Sequence, residues 1–250
     1  LVGSEMCIRD RLRAEVAAAG ADLGIGFDGD GDRIGIIDGK GRQVPGDLLT
    51  AFLAKDVAAR HPGAPILLDV KSSEAALRLV ESAGAAAQIW KTGHSHMKKR
   101  MKELEAPLAG EMSGHIFIAD DYLGFDDAIY AAVRVITQMV KGGQSITEFM
   151  DSLPEQHATP ELRIDCPDTV KFDSMEKIRA HVLSGHDAAD VNSIDGVRVR
   201  SGDGWWLIRA SNTEAALVAR AEAADRTALD RLLGDIETTL AAAGLEWKRP

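Results

Sequence analysis

The stretch Gly26-Phe27-Asp28-Gly29-Asp30-Gly31-Asp32-Arg33 decides the reading of this chain. Apolar runs flank it, Leu23-Gly24-Ile25 before and Ile34-Gly35-Ile36-Ile37 after, and they predict a pair of strands with the acidic loop at their end. Three carboxylates at alternate positions repel one another unless a cation sits among them. Their hard oxygens suit Mg²⁺ or Ca²⁺, and the intervening glycines let the backbone bend so that the side chains converge. An EF-hand does not fit. Its loop needs Gly at position six and Glu at position twelve, where this chain has Arg33 and Gly39, and it needs flanking helices rather than strands. Arg33 places a permanently charged fork beside the metal loop, an arrangement suited to a phosphate.

Outward from this loop, 250 residues suffice for one large domain or two ordinary ones with proper cores, and a net charge of −10 argues against a general nucleic-acid or anionic-membrane partner. An anion must then be caught by a local group of Arg, Lys and His. Cys7 and Cys166 form neither a disulfide framework nor a metal-ligand pattern, which points to a reducing cytoplasm. No apolar run approaches a membrane span. The opening segment Leu1 to Arg11 (LVGSEMCIRDR) resembles translated sequencing-adapter sequence and is expected to lie outside the natural fold.

From Leu12 to Ala19 the chain is helix-prone, with Gly20 as its stop. Asp38 to Gly41 reads as a turn, and Asp47 as the N-cap of a helix over Leu48 to Arg60. Pro65 to Val70 predicts a strand, followed by a helix capped by Ser72 or Ser73. Gln88 to Trp90 predicts another, followed by the basic helix Ser95 to Leu104. Short buried strands alternating with helices imply a parallel-type α/β layer, whose ligands gather at the carboxyl ends of strands. Lys71 and His94 stand at two such ends. Gly110-Glu111-Met112-Ser113-Gly114-His115 lies between two more apolar runs. A carboxylate and a hydroxyl there suit vicinal sugar hydroxyls, and an imidazole can exchange a proton near neutral pH. A helix is expected over Phe125 to Val140, with Asp126 and Asp127 in its first turn. Beyond Pro154 and Pro160 the pattern changes to strands, a helix over Phe172 to Leu183, further strands and a final helix from Arg226 to Ala243. At one strand end, Arg209-Ala210-Ser211-Asn212-Thr213-Glu214 offers a guanidinium, hydroxyls and an amide as a phosphate cradle.

Four segments in this order, FDGDGDR, KTGH, GEMSGH and RASNTE, resemble the α-D-phosphohexomutase superfamily in its phosphomannomutase/phosphoglucomutase branch. The resemblance implies an α/β fold: the end of one α/β domain (1–43), a complete α/β sugar-binding domain (44–154) and a smaller α+β phosphate-binding domain (155–250). It implies Mg²⁺ on Asp28, Asp30 and Asp32, with Arg33 beside the reacting phosphate. Lys71, His94, Glu111, Ser113 and His115 would line the sugar site, Lys71 or His115 handling the proton. Arg209, Ser211, Asn212 and Thr213 would grip the phosphate that is not reacting. The implied reaction interconverts hexose 1-phosphate and hexose 6-phosphate of glucose or mannose through a 1,6-bisphosphate. Family members also carry an N-terminal domain whose phosphoserine donates the phosphoryl group and supplies a fourth metal ligand. No such domain is recognisable here, so the chain is expected to be an inactive fragment of a mutase. A phosphoglucosamine mutase would favour GEQSGH and a Ser-Gly-Thr-Glu loop, against Met112 and Asn212 here, and a non-catalytic sugar-phosphate binder is the other alternative.

Overall fold

The computed structural model describes residues 2–247 and 249, with side chains from Asp10 onward within that set. The chain forms two compact units, 1–153 and 154–250.

The first unit opens with α1 (Val2–Ala19), which runs well ahead of the Leu12 start expected from sequence. Ala, Arg and Glu are strong helix formers, and nothing upstream of Leu12 is a proline to stop it. Gly20 ends it with a positive φ of 59°. β1 (Leu23–Phe27) and β2 (Ile34–Asp38) pair antiparallel, with Phe27 opposite Ile34, so the acidic loop is the connection of a hairpin. β3 (Gln43–Val44) adds a third short strand against β2.

A second sheet follows. β4 (Pro65–Asp69), β5 (Ala86–Trp90), β6 (Leu108–Gly110) and β7 (Ile116–Ile118) lie in the order β5-β4-β6-β7. β4 is parallel to both neighbours, whereas β7 returns antiparallel to β6 through the GEMSGH turn. Strand alternation sends Ile66 and Leu68 into one core, with α2 (Gly46–Arg60), α3 (Glu74–Ser82) and α5 (Ala128–Gly142). Leu67, Ala109 and Phe117 face the other way, onto Met97 and Met101 of α4 (His94–Leu104). The sheet is thus covered on both faces, as its continuous apolar strands require. Short α6 (Ile146–Asp151) closes the unit with a capping box of Ser145 and Glu148.

Two expected helix starts differ. α2 begins at Gly46 behind Pro45, and Asp47 does not cap it: the buried Asp47 carboxylate instead accepts the Ser73 N–H at 2.7 Å. α5 is capped by Asp127, whose carboxylate accepts the Tyr130 N–H, so Asp126 stands outside the helix and is free to face elsewhere.

The second unit is an antiparallel sheet with two helices on one face. β8 (His157–Ala158), β9 (Leu162–Asp165), β10 (Val191–Asn192), β11 (Val197–Ser201), β12 (Gly204–Ala210) and β13 (Ala216–Ala223) pair in the order β10-β11-β12-β13, with β8 and β9 both on the far side of β13. Val197, Val199, Trp206, Ile208, Leu217 and Ala219 pack under α7 (Asp168–Gly185) and α8 (Arg226–Ala242). The alternate positions put Arg198, Trp205, Arg209 and Arg220 on the opposite face. There the Arg198 guanidinium lies 3.7 Å from the centroid of the buried Trp205 ring, a cation–π stack.

Candidate functional site

The hairpin brings Asp28, Asp30 and Asp32 together, with one carboxylate oxygen of each within 4.8 Å of the others. Gly31, at φ 75°, provides the reversal that makes this possible. Arg33 is turned back on the loop. Its amide donates to Asp28 Oδ1 at 3.1 Å and its Nε lies 2.9 Å from Asp28 Oδ2. Burial works to raise the Asp28 carboxyl, but the Arg33 amide, a hydrogen bond shared with Asp32 and the Arg33 charge together hold it below the ordinary carboxylate range. Asp32 goes the other way. Burial pushes it up, the Asp28 and Asp30 charges add to that, and His115 opposes. Asp32 Oδ1 is buried with no hydrogen-bond partner among the described residues. A hard divalent cation fits this donor set, since it would relieve the mutual repulsion and satisfy the orphaned oxygen.

The GEMSGH turn is stitched onto this loop. The Ile34 amide donates to Gly114 O at 3.1 Å, Arg33 and His115 form an isolated β-bridge, and the Gly46 amide donates to Met112 O. The approach is so close that a Cβ on Gly46 would lie 2.2 Å from Glu111 O, and one on Gly114 2.5 Å from Ile34 O. From the other side, the first amide of α5, that of Ala128, donates to Gly31 O at 3.1 Å.

Within the turn, Glu111 is buried. One of its oxygens accepts the Gly93 N–H at 2.7 Å and the other the Ser113 hydroxyl at 3.2 Å, joining the KTGH and GEMSGH segments. Burial, then the charge of Asp69, pushes Glu111 up. Asp69 itself, fully buried at the end of β4, belongs to none of the sequence motifs. It accepts from the Ser72 hydroxyl, the Thr92 hydroxyl and the Met112 amide, and lies 4.0 Å from Lys71 Nζ. One carboxylate therefore aligns the strand ends that carry Lys71, His94 and Glu111.

His115 Nδ1 lies 3.1 Å from Asp126 Oδ2, without hydrogen-bond alignment, and 3.7 Å from Asp32 Oδ2, so one ring nitrogen faces both carboxylates. Asp126 is buried, accepts from Lys98 Nζ at 2.9 Å and stands 3.8 Å from His94 Nδ1. Burial works to raise it, but the Lys98 hydrogen bond and the Lys98 and His115 charges keep it below its ordinary value. Neither Asp126 nor Lys98 stood out in the sequence, where one read as helix decoration and the other as part of a basic run. The first unit thus assembles Asp28, Asp30, Asp32, Arg33, Lys71, His94, Glu111, Ser113 and His115 on adjoining strand ends and loops.

In the second unit, Arg209, Ser211, Asn212 and Thr213 lie at the end of β12 and in the turn after it. Arg209 is buried, its Nε 3.1 Å from Asp195 and its Nη2 without a partner among the described residues. Ser211 Oγ accepts the Thr213 and Glu214 amides, which shapes the turn and leaves its hydroxyl proton to donate outward.

Residues 45–157 match phosphoglucomutase/phosphomannomutase, alpha/beta/alpha domain III, and residues 161–239 match the C-terminal domain of the same family. This chain belongs to the phosphoglucomutase/phosphomannomutase family. It is 43% identical over 239 residues to the phosphomannomutase/phosphoglucomutase of Pseudomonas putida, covering 96% of this chain and 51% of that protein. A crystal structure of a phosphoglucomutase/phosphomannomutase family protein from Burkholderia thailandensis superposes with a TM-score of 0.85 at 36% identity, over 94% of this chain and 50% of that one. The chain thus spans about half the length of the relatives it matches. N-acetylphosphoglucosamine mutase from Aspergillus fumigatus, solved with GlcNAc-6P and magnesium, shares the fold at a TM-score of 0.61 and 17% identity, over 88% of this chain and 48% of that one.

Proposed function

We propose that these residues are the metal-, sugar- and distal-phosphate-binding part of a mutase that interconverts hexose 1-phosphate and hexose 6-phosphate of glucose and mannose through a 1,6-bisphosphate. The observation that carries this reading is the junction of the Asp28-Asp30-Asp32 cluster with the Glu111-Ser113-His115 turn, made by the Gly114–Ile34 hydrogen bond and the approach of His115 to Asp32. Phosphoryl transfer asks a protein mainly to position its reactants and to neutralise developing charge. Mg²⁺ on the three aspartates would supply that neutralisation. Arg33, held on Asp28 at 2.9 Å, would turn its guanidinium to a phosphate oxygen. Glu111 and Ser113, fixed to one another, would read hydroxyls common to glucose and mannose, so both sugars are accepted. His115, or Lys71 beside Asp69, would take the proton of the attacking hydroxyl. Arg209, whose Nη2 has no partner among the described residues, and the Ser211, Asn212 and Thr213 turn would hold the second phosphate. The phosphoryl donor is proposed to be the phosphoserine that the family resemblance places in the relatives' N-terminal half.

The metal assignment is tested on this chain directly. Mg²⁺ titration should shift the amide resonances of Gly29 and Gly31, and Asp30→Asn, which removes one charge of three without changing size, should weaken binding by about 10-fold or more. Unshifted resonances in the native chain, or equal affinity in the variant, would refute it.

A further inference from the structure

We propose that Lys171 is the positioning residue of the Arg209 to Thr213 loop, holding its backbone from behind and lending a buried positive charge to a phosphate bound in front. This rests on the phosphate reading of that loop.

Lys171 sits in the first turn of α7 and is buried, its side chain only 6% exposed. A buried ammonium is costly unless its donors are used and its charge is useful. Two hydrogen bonds and an ion pair answer that cost. Nζ donates to Ser211 O at 3.0 Å and to Glu214 O at 2.9 Å, and lies 2.6 Å from Asp168 Oδ1. The two carbonyls bracket the turn. Because the peptide is trans, a Ser211 carbonyl drawn to Lys171 aims the next amide, that of Asn212, to the opposite side of the loop. The ammonium therefore sets which face of the turn is rich in N–H groups.

The charge matters as well as the hydrogen bonds. A neutral donor would satisfy the two carbonyls at a lower desolvation cost. The carboxylate that balances Lys171, Asp168, is 70% exposed, so water screens it, while the ammonium faces the loop through the protein interior. The loop's own carboxylate is drawn aside, with Glu214 2.6 Å from Arg163 Nη1. Lys171 and Arg209 thus put two buried cationic groups at one turn, each with one carboxylate beside it.

The test uses the ¹⁵N-labelled chain, titrated with inorganic phosphate while the amides of Ser211 to Glu214 are followed. Native loop amides should shift saturably. Lys171→Met should weaken binding by about 10-fold, Lys171→Gln, which keeps a donor but no charge, by a similar factor, and Lys171→Arg should restore most of it. The native affinity should also fall more steeply with added salt than that of the Gln variant. Should the Met variant fail to fold, the Gln and Arg pair decides the matter. Native-like affinity in Lys171→Gln with an unchanged salt dependence would overturn the role of the charge. Native amides that stay still throughout would instead overturn the phosphate reading of the loop, and this inference with it.

Discussion

At the scale of single residues, Asp126 shows how the site depends on a group that carries no motif. Its carboxylate touches His115 on one side and Lys98 on the other, so Asp126→Asn keeps the volume and removes the charge beside the imidazole. In a protein of the relatives' full length carrying these residues, kcat should fall by about 10-fold or more while KM for glucose 1-phosphate stays within a small factor. A rise in KM with unchanged kcat would assign Asp126 to ground-state binding instead. Asp120 makes a pH prediction. Burial alone would raise it, but hydrogen bonds from His61 and Arg134 and the charges of Arg60 and Arg134 hold it below 3.8. A carboxyl depressed by folding contributes stability that is fully present above its unfolded pKa and is lost as pH falls through the folded value. Asp120→Asn should therefore cost roughly 2 kcal/mol at pH 7, and the gap to the native chain should close below about pH 3.8. Urea unfolding at several pH values measures it. The metal aspartates and the residues of the three other motifs were legible in the sequence because their types and spacing are unusual. Asp69, Lys98, Asp126 and Lys171 were not, because each is an ordinary residue whose meaning is its partner, and the partners in these contacts lie 23 to 43 positions away.

At the scale of elements, the strand and helix order was legible from apolar runs and turn residues, and the two misassigned aspartates share one cause. Asp47 and Asp126 both read as helix-start residues because acids favour first turns. In each case tertiary contact takes the carboxylate for another purpose, the Ser73 amide for Asp47 and the basic trio for Asp126. Two-residue strands such as β3, β8 and β10 are too short to leave a periodic signal. Contact between elements also explains a glycine that sequence alone treats as turn punctuation. Gly46→Ala would drive a Cβ against the Glu111 carbonyl, which is backbone and cannot rotate away. The variant should lose about 2 kcal/mol or more of stability, and the GEMSGH amides should lose protection from hydrogen exchange. An unchanged melting temperature and exchange pattern would show that the α2 entry and this turn are not locked together.

At the scale of the whole molecule, the chain divides at Leu153 and Pro154, between a Phe149-anchored end of the first core and a separate sheet. Each unit closes its own hydrophobic core, so limited proteolysis should cut first between 153 and 157, ahead of β8, and leave two resistant pieces, observable by mass spectrometry. Initial cleavage inside β12 or α2 would contradict that division. The pairing of Arg198 with Trp205 has an optical consequence. Of the four tryptophans, Trp205, Trp206 and Trp247 belong to the second unit, the first two fully buried, while Trp90 alone belongs to the first, half-buried beneath Arg100. Indole fluorescence of the native chain should therefore be dominated by short-wavelength emission from the C-terminal sheet, and its red shift on denaturation should follow that sheet with little colour from the metal-bearing half.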